Sequence, residues 1–442
     1  FHDHGSGGLG GSATTQAAYM DNVADFLRLA RAHGIYVIFA QDWLPDGYGF
    51  ASDPGIDGIN ALYLSRGGVA ANARFFGDFV DALIARGAPL DAVWAYELRN
   101  ELYFEAQEQP FSATSGQVTT ANGVTYDLAD ADASERTRLL EDGLVHWIDQ
   151  VRAAIIERDP TALVAVGFFQ PQTPNPTRLG ATRLIETGAA ILRSTADFID
   201  LHAYPGGDLN LRRLVENYKL PPVTDKPIVL GEFGAFHEFY PTAADAVHGL
   251  ISWQAEACEA GFDGSLLWTW DSAGGYAETW NGTDADGALA NALSPASRPD
   301  ACSFEGGLPL NLALERPVTA SGALPDGPAA AAVDGSPGNG WNSGAGPAQW
   351  IEIDLGGAVA VGEIRLTVAQ FPAGATEHRV YGRAAPGGPL LLLHTFSGST
   401  TDGDVLSFVL PDGAAAVRML RVETVTSPSW VAWREIEVFA PQ

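Results

Sequence analysis

Two glutamates stand where apolar runs end. Glu101 follows the run in WAYELRNEL (94–102), and Glu232 closes KPIVLGEF (226–233). Other run ends carry polar and aromatic groups of matching character: Asn100 beside Glu101, His202 and Tyr204 in LHAYP, Trp268 and Trp270 in LLWTWD, Trp43 after Gln41-Asp42, and His2 and His4 at the start. Two carboxyl groups suit glycoside cleavage, one protonating the leaving oxygen and the other attacking the anomeric carbon or activating water. Aromatic faces stack on sugar rings, and Asn, His and Tyr hydrogen-bond to hydroxyls. One such glutamate alone would read as a surface or salt-bridged residue; the pair, each after an apolar strand, carries the chemical reading. Metal chemistry is the rival, but no HExxH or comparable ligand spacing occurs in the sequence. Glu97 shares the expected orientation of Glu101 one step deeper along the strand, so it is expected to be structural, paired with Arg99 or another basic group.

The elements that must position these residues alternate. Apolar runs at 34–42, 91–98, 162–169, 197–204, 226–233 and 263–270 read as six buried strands, most of them separated by helical stretches. Met20, Val23, Phe26, Leu27 and Ala30 mark one helix, stopped at Gly34; Leu139 to Ile155 mark a longer one. Strand–helix alternation predicts a parallel α/β sheet closed as a (β/α)₈ TIM barrel over residues 1–290, with function at the C-terminal ends of the strands. The opening FHDHGSGG reads as the end of a further strand, so the first strand and most of the second are expected to lie outside this sequence. A polar insert at 105–130, with a hairpin turning at Asn122-Gly123, either overhangs the cleft or decorates the rim. Residues 291–309, rich in Pro, Ser, Ala and Gly, read as a linker or closing segment, and 310–442 as an antiparallel β-sandwich jelly roll.

With 442 residues, two domains are expected. The net charge of −29 includes only two lysines, Lys219 and Lys226, and argues against nucleic acid and anionic lipid as partners. No apolar run is long enough to span a bilayer. Cys258 and Cys302 either pair or remain free thiols. A monomer is expected, and no cofactor for catalysis.

WAYELRNEL, with its Asn100-Glu101 pair, resembles the acid/base strand of clan A glycoside hydrolases, above all the cellulase-like members of family 5. LHAYP, IVLGEFG and LLWTW resemble that family's sixth, seventh and eighth strands, in order, within residues 1–290. The resemblance implies a retaining β-glycosidase acting on a β-glucan, β-mannan or related saccharide. It implies Glu101 as acid/base, Glu232 as nucleophile, Asn100 on the sugar 2-hydroxyl, Tyr204 on Glu232, and His202 and Trp268 lining the subsite of the cleaved sugar. Trp270, Trp43 and His4 join them as expected substrate contacts. The third strand departs from the family, ending in Gln41-Asp42-Trp43. A transglycosylase would use the same residues, and a non-catalytic glycan-binding protein on a decayed barrel is the alternative of another class.

NLALERPVTASG, AVDGSPGNGWNS, QWIEIDLGG and REIEVF resemble the discoidin, or coagulation-factor C-type, domain, a fold shared with carbohydrate-binding module family 32. That resemblance implies a structural calcium held near Asp334 and Glu435, with a plain turn at Asp334-Gly335 as the alternative. Phe371 or Trp430 would touch sugar, and Trp341 and Trp350 would fill the core. A secreted bacterial protein is the expectation that both resemblances and the acidic, lysine-poor composition carry.

Overall fold

The computed structural model describes residues 2–3, 17–129, 133–171, 182–204, 211–221, 225–271, 278–305, 307, 311–336, 338–410 and 416–441. His4 lies outside them. The chain divides into two compact units, one of residues 1–204, 211–234 and 256–282, the other of 205–210, 235–255 and 283–442.

The first unit is built on a parallel sheet. Its strands are β1 (His2–Asp3), β2 (Val37–Gln41) and β3 (Val93–Glu97), then, after three two- or three-residue strands β4 (Phe104–Glu105), β5 (Gln117–Thr119) and β6 (Thr125–Asp127), β7 (Leu163–Phe168). Past the short β8 (Arg183–Leu184) come β9 (Phe198–His202), β10 (Ile228–Phe233) and β11 (Gly264–Leu267). The sheet order is β1-β2-β3-β7-β9-β10-β11, parallel at every pairing. All six expected strands are present, and the opening residues add a seventh. The sheet is a half-barrel with β1 and β11 as its edges, so the described strands do not form the closed eight-stranded ring that alternation alone predicts.

Helices α1 (Ala17–Ala32), α2 (Asn60–Leu64), α3 (Arg66–Ala85), α4 (Ala133–Ile156), α5 (Thr187–Arg193) and α6 (Leu211–Tyr218) fall between the strands. In α1 the buried residues are Met20, Val23, Ala24, Leu27 and Ala30, a 3–4 spacing that gives one apolar face. Phe26, expected on that face, is exposed instead. Gly34 ends the helix at φ +69°, where a side chain would strain the backbone. On α4 the run Leu139, Leu140, Leu144, Trp147, Ile148, Val151 and Ile155 is buried throughout. The insert hairpin β5–β6 packs on this helical layer: Ala121 donates to the Leu64 carbonyl, Tyr126 Oη donates to Asp142 of α4, and the Arg138 guanidinium covers the Tyr126 ring.

Alternation along the strands makes the inward face of the sheet a set of layers. One is apolar: Ile38, Ala95, Ala165, Phe198 and Val229. Two residues further along each strand, the next layer holds Ala40, Glu97, Gly167, Asp200 and Gly231. An acid–glycine layer lies directly above an apolar one.

The second unit holds α8 (Asp284–Leu293), most of α7 (Ala243–Glu259), and the sandwich. Strands β12 (Val318–Ala320), β13 (Trp341–Asn342), β14 (Gln349–Val359), β15 (Glu363–Val368), β16 (Gly374–Arg383), β17 (Leu391–Thr400), β18 (Val405–Val409), β19 (Val417–Thr426) and β20 (Ala432–Phe439) form two antiparallel sheets, β12-β14-β19-β16-β17 and β13-β20-β15-β18. The core between them includes Trp341, Ile353, Leu366, Val380, Val422, Trp433 and Ile436. Trp350, expected in that core, is only half-buried, with the Arg421 guanidinium 4.0 Å from its ring centroid. After α8 the chain is pinned by Arg298, whose guanidinium donates to Gln254 Oε1 at 3.1 Å and to the Ala301 carbonyl at 2.6 Å. Cys258 and Cys302 are both disulfide-bonded, and no cysteine is free.

Candidate active site

Glu101 sits just past β3, on a segment clamped from both sides. Asn100 N–H donates to the Gln41 carbonyl at 2.7 Å, and Leu98 and Leu102 N–H groups donate to the Ala165 and Gly167 carbonyls at 2.9 and 2.8 Å. Between these anchors Glu101 takes φ +52°. That left-handed conformation costs a non-glycine residue about 1–2 kcal/mol, which the flanking hydrogen bonds offset. Glu232 reaches the same place from β10. The register with β9 shifts between Leu230 and Glu232, so Gly231 and Glu232 both line one cavity although they are adjacent in sequence. The cavity, of about 360 Å³, is also lined by Glu97, Asp200, His202, Trp268 and Trp270.

His202 joins the pair. Its Nδ1 lies 3.3 Å from Glu101 Oε1 and 3.1 Å from Glu232 Oε2. Tyr204 Oη donates to Glu232 Oε2 at 2.6 Å. The His202 backbone is held by Tyr218, whose hydroxyl accepts from His202 N–H at 3.2 Å and donates to the His202 carbonyl at 2.7 Å. On the other side of the ring, Nε2 is 3.7 Å from Asp200 Oδ1.

The electrostatics follow from burial with too little base. Burial, reinforced by Asp200, holds Glu97 well above the usual carboxylate range. Burial pushes Asp200 up to about 7 against the opposing pull of His202. Burial alone would discharge His202, but Glu232, Glu101 and Asp200 outweigh it and hold the ring well above the ordinary histidine value. Burial, with Glu232 adjoining, keeps the Tyr204 phenol protonated far beyond its normal range, so it serves as a donor. Ligand-type atoms of Glu97, Asp200 and His202, and of Glu101, His202 and Glu232, each lie within 4.8 Å of one another. One imidazole serves both sets and turns both nitrogens to carboxylates, so the arrangement is an imidazolium between acids and neither set is read as a metal centre.

Of the expected site residues, Glu101, Glu232, His202, Tyr204, Trp268 and Trp270 converge on the cavity. Trp270 is 66% exposed, as a platform requires, and the peptide from Trp268 to Thr269 is cis. Asn100 is buried beside Glu101, with Nδ2 3.5 Å from Asp42 Oδ1 and its own Oδ1 without a hydrogen-bond partner. Trp43 faces Arg99, whose guanidinium lies 4.5 Å from its ring centroid. Arg99 is therefore engaged with Trp43, and the expected ion pair with Glu97 does not form. The neighbours of Glu97 are Asp200 and His202. Asp200 is the residue that sequence reading missed; the signal was an Asp in mid-strand in the inward phase of Phe198 and His202.

In the sandwich, Glu435 is buried. Its Oε1 accepts from Gly335 N–H at 3.2 Å and its Oε2 has no hydrogen-bond partner. Burial, with Asp334 and Glu437 adding repulsion, pushes its carboxyl up to about 8. Asp334 accepts from Ser336 N–H at 3.1 Å and from Asn339 Nδ2 at 2.9 Å. A buried carboxylate oxygen without a donor, facing a second carboxylate, fits a hard oxygen-seeking cation such as calcium. Elsewhere in the sandwich a cavity of about 800 Å³ is lined by Asn342, Gln370, Phe371, Asp402, Ser429 and Trp430. Phe371 is 90% and Trp430 55% exposed there.

No curated protein matches the chain. Among solved structures, it resembles chitosan-binding module 1 of a chitosanase/glucanase from Paenibacillus sp. IK-5 at 24% identity, covering 30% of this chain and 100% of that one, with a TM-score of 0.27. Module 2 of the same enzyme, in complex with chitotriose, matches at 27% identity over 29% of this chain and 100% of that one, with a TM-score of 0.24. The family 32 carbohydrate-binding module of C. perfringens NanJ, in complex with galactose, matches at 17% identity over 28% of this chain and 93% of that one, with a TM-score of 0.25. Among the described residues no helix is long and apolar enough to cross a membrane. Residues 317–436 match the F5/8 type C domain, and the match supports a discoidin-like domain in this part of the chain.

Proposed function

We propose that the first unit is a retaining β-glycoside hydrolase, with Glu101 as acid/base and Glu232 as nucleophile. The observation that carries this reading is one imidazole nitrogen within reach of both carboxylates, at 3.3 and 3.1 Å. Ligand-type oxygens of the two glutamates lie within 4.8 Å of each other. Retaining enzymes hold their carboxyl groups about 5–5.5 Å apart, whereas inverting enzymes leave about 6.5–9.5 Å for a water. In the first step Glu101 gives its proton to the leaving oxygen while Glu232 attacks the anomeric carbon. In the second, Glu101 takes a proton from the water that releases the sugar. Tyr204 donates to Glu232 and orients the oxygen that attacks. Trp268 and Trp270 offer apolar faces to the sugar, whose class is a β-linked glucan, mannan or related oligosaccharide, and the half-barrel is the working part of a (β/α)₈ frame.

The F5/8 type C domain is read as the glycan-holding module, with Phe371 and Trp430 as its exposed aromatic contacts. Asp334 and Glu435 would hold a calcium ion there, which supplies positive charge to a buried acid and so serves folding. The test is hydrolysis of a panel of β-linked glycans by the full chain, with Glu232→Ala and Glu101→Gln as controls. Cleavage by the parent and its loss in both variants is expected. Glycan binding without any cleavage would leave the protein a lectin and end the enzymatic reading.

A further inference from the structure

The middle layer of the half-barrel is packed with acid that the glycosidase mechanism does not use. Glu97 and Asp200 are 4% and 3% exposed, and Glu97 Oε1 and Asp200 Oδ1 have no hydrogen-bond partner. An uncompensated buried carboxylate costs several kcal/mol, so an arrangement with no role should be replaced cheaply by apolar residues. Instead the neighbouring strands make room for it. A Cβ at Gly167 would collide with Glu97 Oε1, and a Cβ at Gly231 would collide with the Asp200 carboxylate. Two glycines in two strands are fitted to two acids in two others.

Among the described residues, the group that the acids face is the His202 ring. The His202 ring turns Nε2 toward Asp200 at 3.7 Å and Nδ1 toward Glu232 and Glu101 at 3.1 and 3.3 Å. Tyr218 of α6 fixes its backbone, and at 1% exposure the ring has little room to turn away. Among the described residues the titratable groups facing it are Glu97 and Glu101 from β3 and its extension, Asp200 and Tyr204 from β9 and its extension, Glu232 from β10 and Tyr218 from α6. All are acids or phenols.

We propose that Asp200, backed by Glu97, is a positioning residue that holds the His202 ring as a cation between Glu101 and Glu232 and so governs the pH response of that pair. This rests on the glycosidase reading for its consequence, but not for its geometry. The cation sits where it favours the ionised form of Glu232, and Asp200 fixes it there through the far nitrogen. Glu97, whose carboxyl burial and the neighbouring Asp200 hold well above the usual carboxylate range, carries the proton that keeps the layer from holding two adjacent negative charges. The raised carboxyl of Asp200 and the raised imidazole of His202 agree with this division.

The experiment is an NMR titration of the imidazole nitrogens in the full chain, with His202 assigned by the signal lost in His202→Gln. The parent ring should stay doubly protonated well beyond the pH at which an ordinary histidine loses its proton. Asp200→Asn, which keeps shape and removes charge, should lower the His202 midpoint by about one unit or more. The kcat/KM profile of the variant should then show a break at that same lowered midpoint, which a merely structural residue would not produce. An unchanged midpoint, or a lowered one with no break in the profile, overturns the proposal. Should Asp200→Asn fail to fold, a parent ring that is already neutral by pH 7 overturns it equally. If the parent cleaves no glycan, the enzymatic reading fails, while the titration still decides whether Asp200 holds the ring.

Discussion

Glu97 and Glu352 are equally buried, each 4% exposed, and they live in opposite surroundings. Glu352, on β14 of the sandwich, lies between Arg383 and Arg421, with Arg421 Nε 3.0 Å from Oε2 and Arg383 on Oε1. Glu97, on β3, has a second carboxylate, Asp200, for a neighbour, and among the described residues no arginine pairs with it. The sandwich treats a buried acid as a problem of packing and neutralises it with two guanidinium groups. The half-barrel leaves its acid uncompensated and aims it at His202. A fold that needs only to stand gains nothing from unpaired buried acids, so the unpaired layer is where the proposed chemistry belongs.

The largest effect should come from the end of that layer nearest substrate. Glu232→Ala removes the group that would form the glycosyl bond and should cut kcat on the order of 10⁴-fold, with the thermal midpoint unchanged or raised, since it also removes an acid from the crowded cavity. Glu101→Gln should lose less on substrates with a good leaving group, which need little proton donation. Kinetics on a glycan and on an aryl glycoside separate the two. Equal losses on both substrates would mean that Glu101 is not the acid.

The comparison itself is tested next, by a reversal of sign. Glu352→Ala strands Arg383 and Arg421 beside each other and should cost the sandwich about 3–5 kcal/mol. Glu97→Gln removes a buried acid that is held protonated, so it should be neutral within about 1 kcal/mol or stabilising. Denaturant midpoints of the two variants measure both. A Glu97→Gln loss as large as that of Glu352→Ala would show that Glu97 has a base partner after all.

That contrast also explains what could be read from sequence. Strands were legible because apolar runs such as YVIFA and FIDLH report burial directly, and the sandwich because its strands alternate in phase. Glu101 and Glu232 were legible because they break apolar runs at their ends. Asp200 was visible as an interruption within FIDLH, but its partner across the sheet depends on register. Register also brought Gly167 and Gly231 alongside the acids. The pairing of Glu97 with Arg99 failed for a related reason: Arg99 lies past the end of β3, where regular alternation no longer applies, and it turns to Trp43. Closure of the sheet into a ring is likewise a matter of pairing, not of any one strand's composition.

Glu435 is the sandwich's own exception, and calcium is what should restore the pattern. Its carboxyl titrates near 8 in the fold, far above the ordinary 4.5. Between those values the folded chain holds a proton that the unfolded chain has released, so folding loses stability as pH rises from about 5 to about 8. Without calcium the thermal midpoint should therefore fall across that window. Calcium needs the ionised carboxylate, so its stabilisation should grow with pH, reaching about 2.7 kcal/mol at a hundredfold excess over Kd. Glu435→Gln should flatten the pH dependence and abolish the calcium response. Calorimetry at pH 5 and 8, with calcium and with chelator, reads all of this, and a midpoint indifferent to calcium at pH 8 would leave Asp334-Gly335 as a plain turn.

The smallest effect lies furthest from the acid layer. Trp430 is exposed beside Phe371 on a cavity whose only charged lining residue, among the described residues, is Asp402, and Asp402 is already paired with Arg434 at 2.7 Å. With its charge spent inside the fold, this cleft has aromatic area and neutral hydrogen-bonding groups to offer a ligand, which suits an uncharged sugar. Trp430→Ala removes a stacking face worth about 1–2 kcal/mol, so glycan affinity should drop about tenfold or somewhat more. Because the ring is exposed, the denaturation midpoint should barely move, and hydrolysis of short soluble substrates should not change at all. Isothermal titration with the glycan that the parent binds best, beside kinetics on a short oligosaccharide, separates holding from cutting. A loss of kcat in Trp430→Ala would mean that the division drawn between a charged, working half-barrel and a neutral, holding sandwich is wrong.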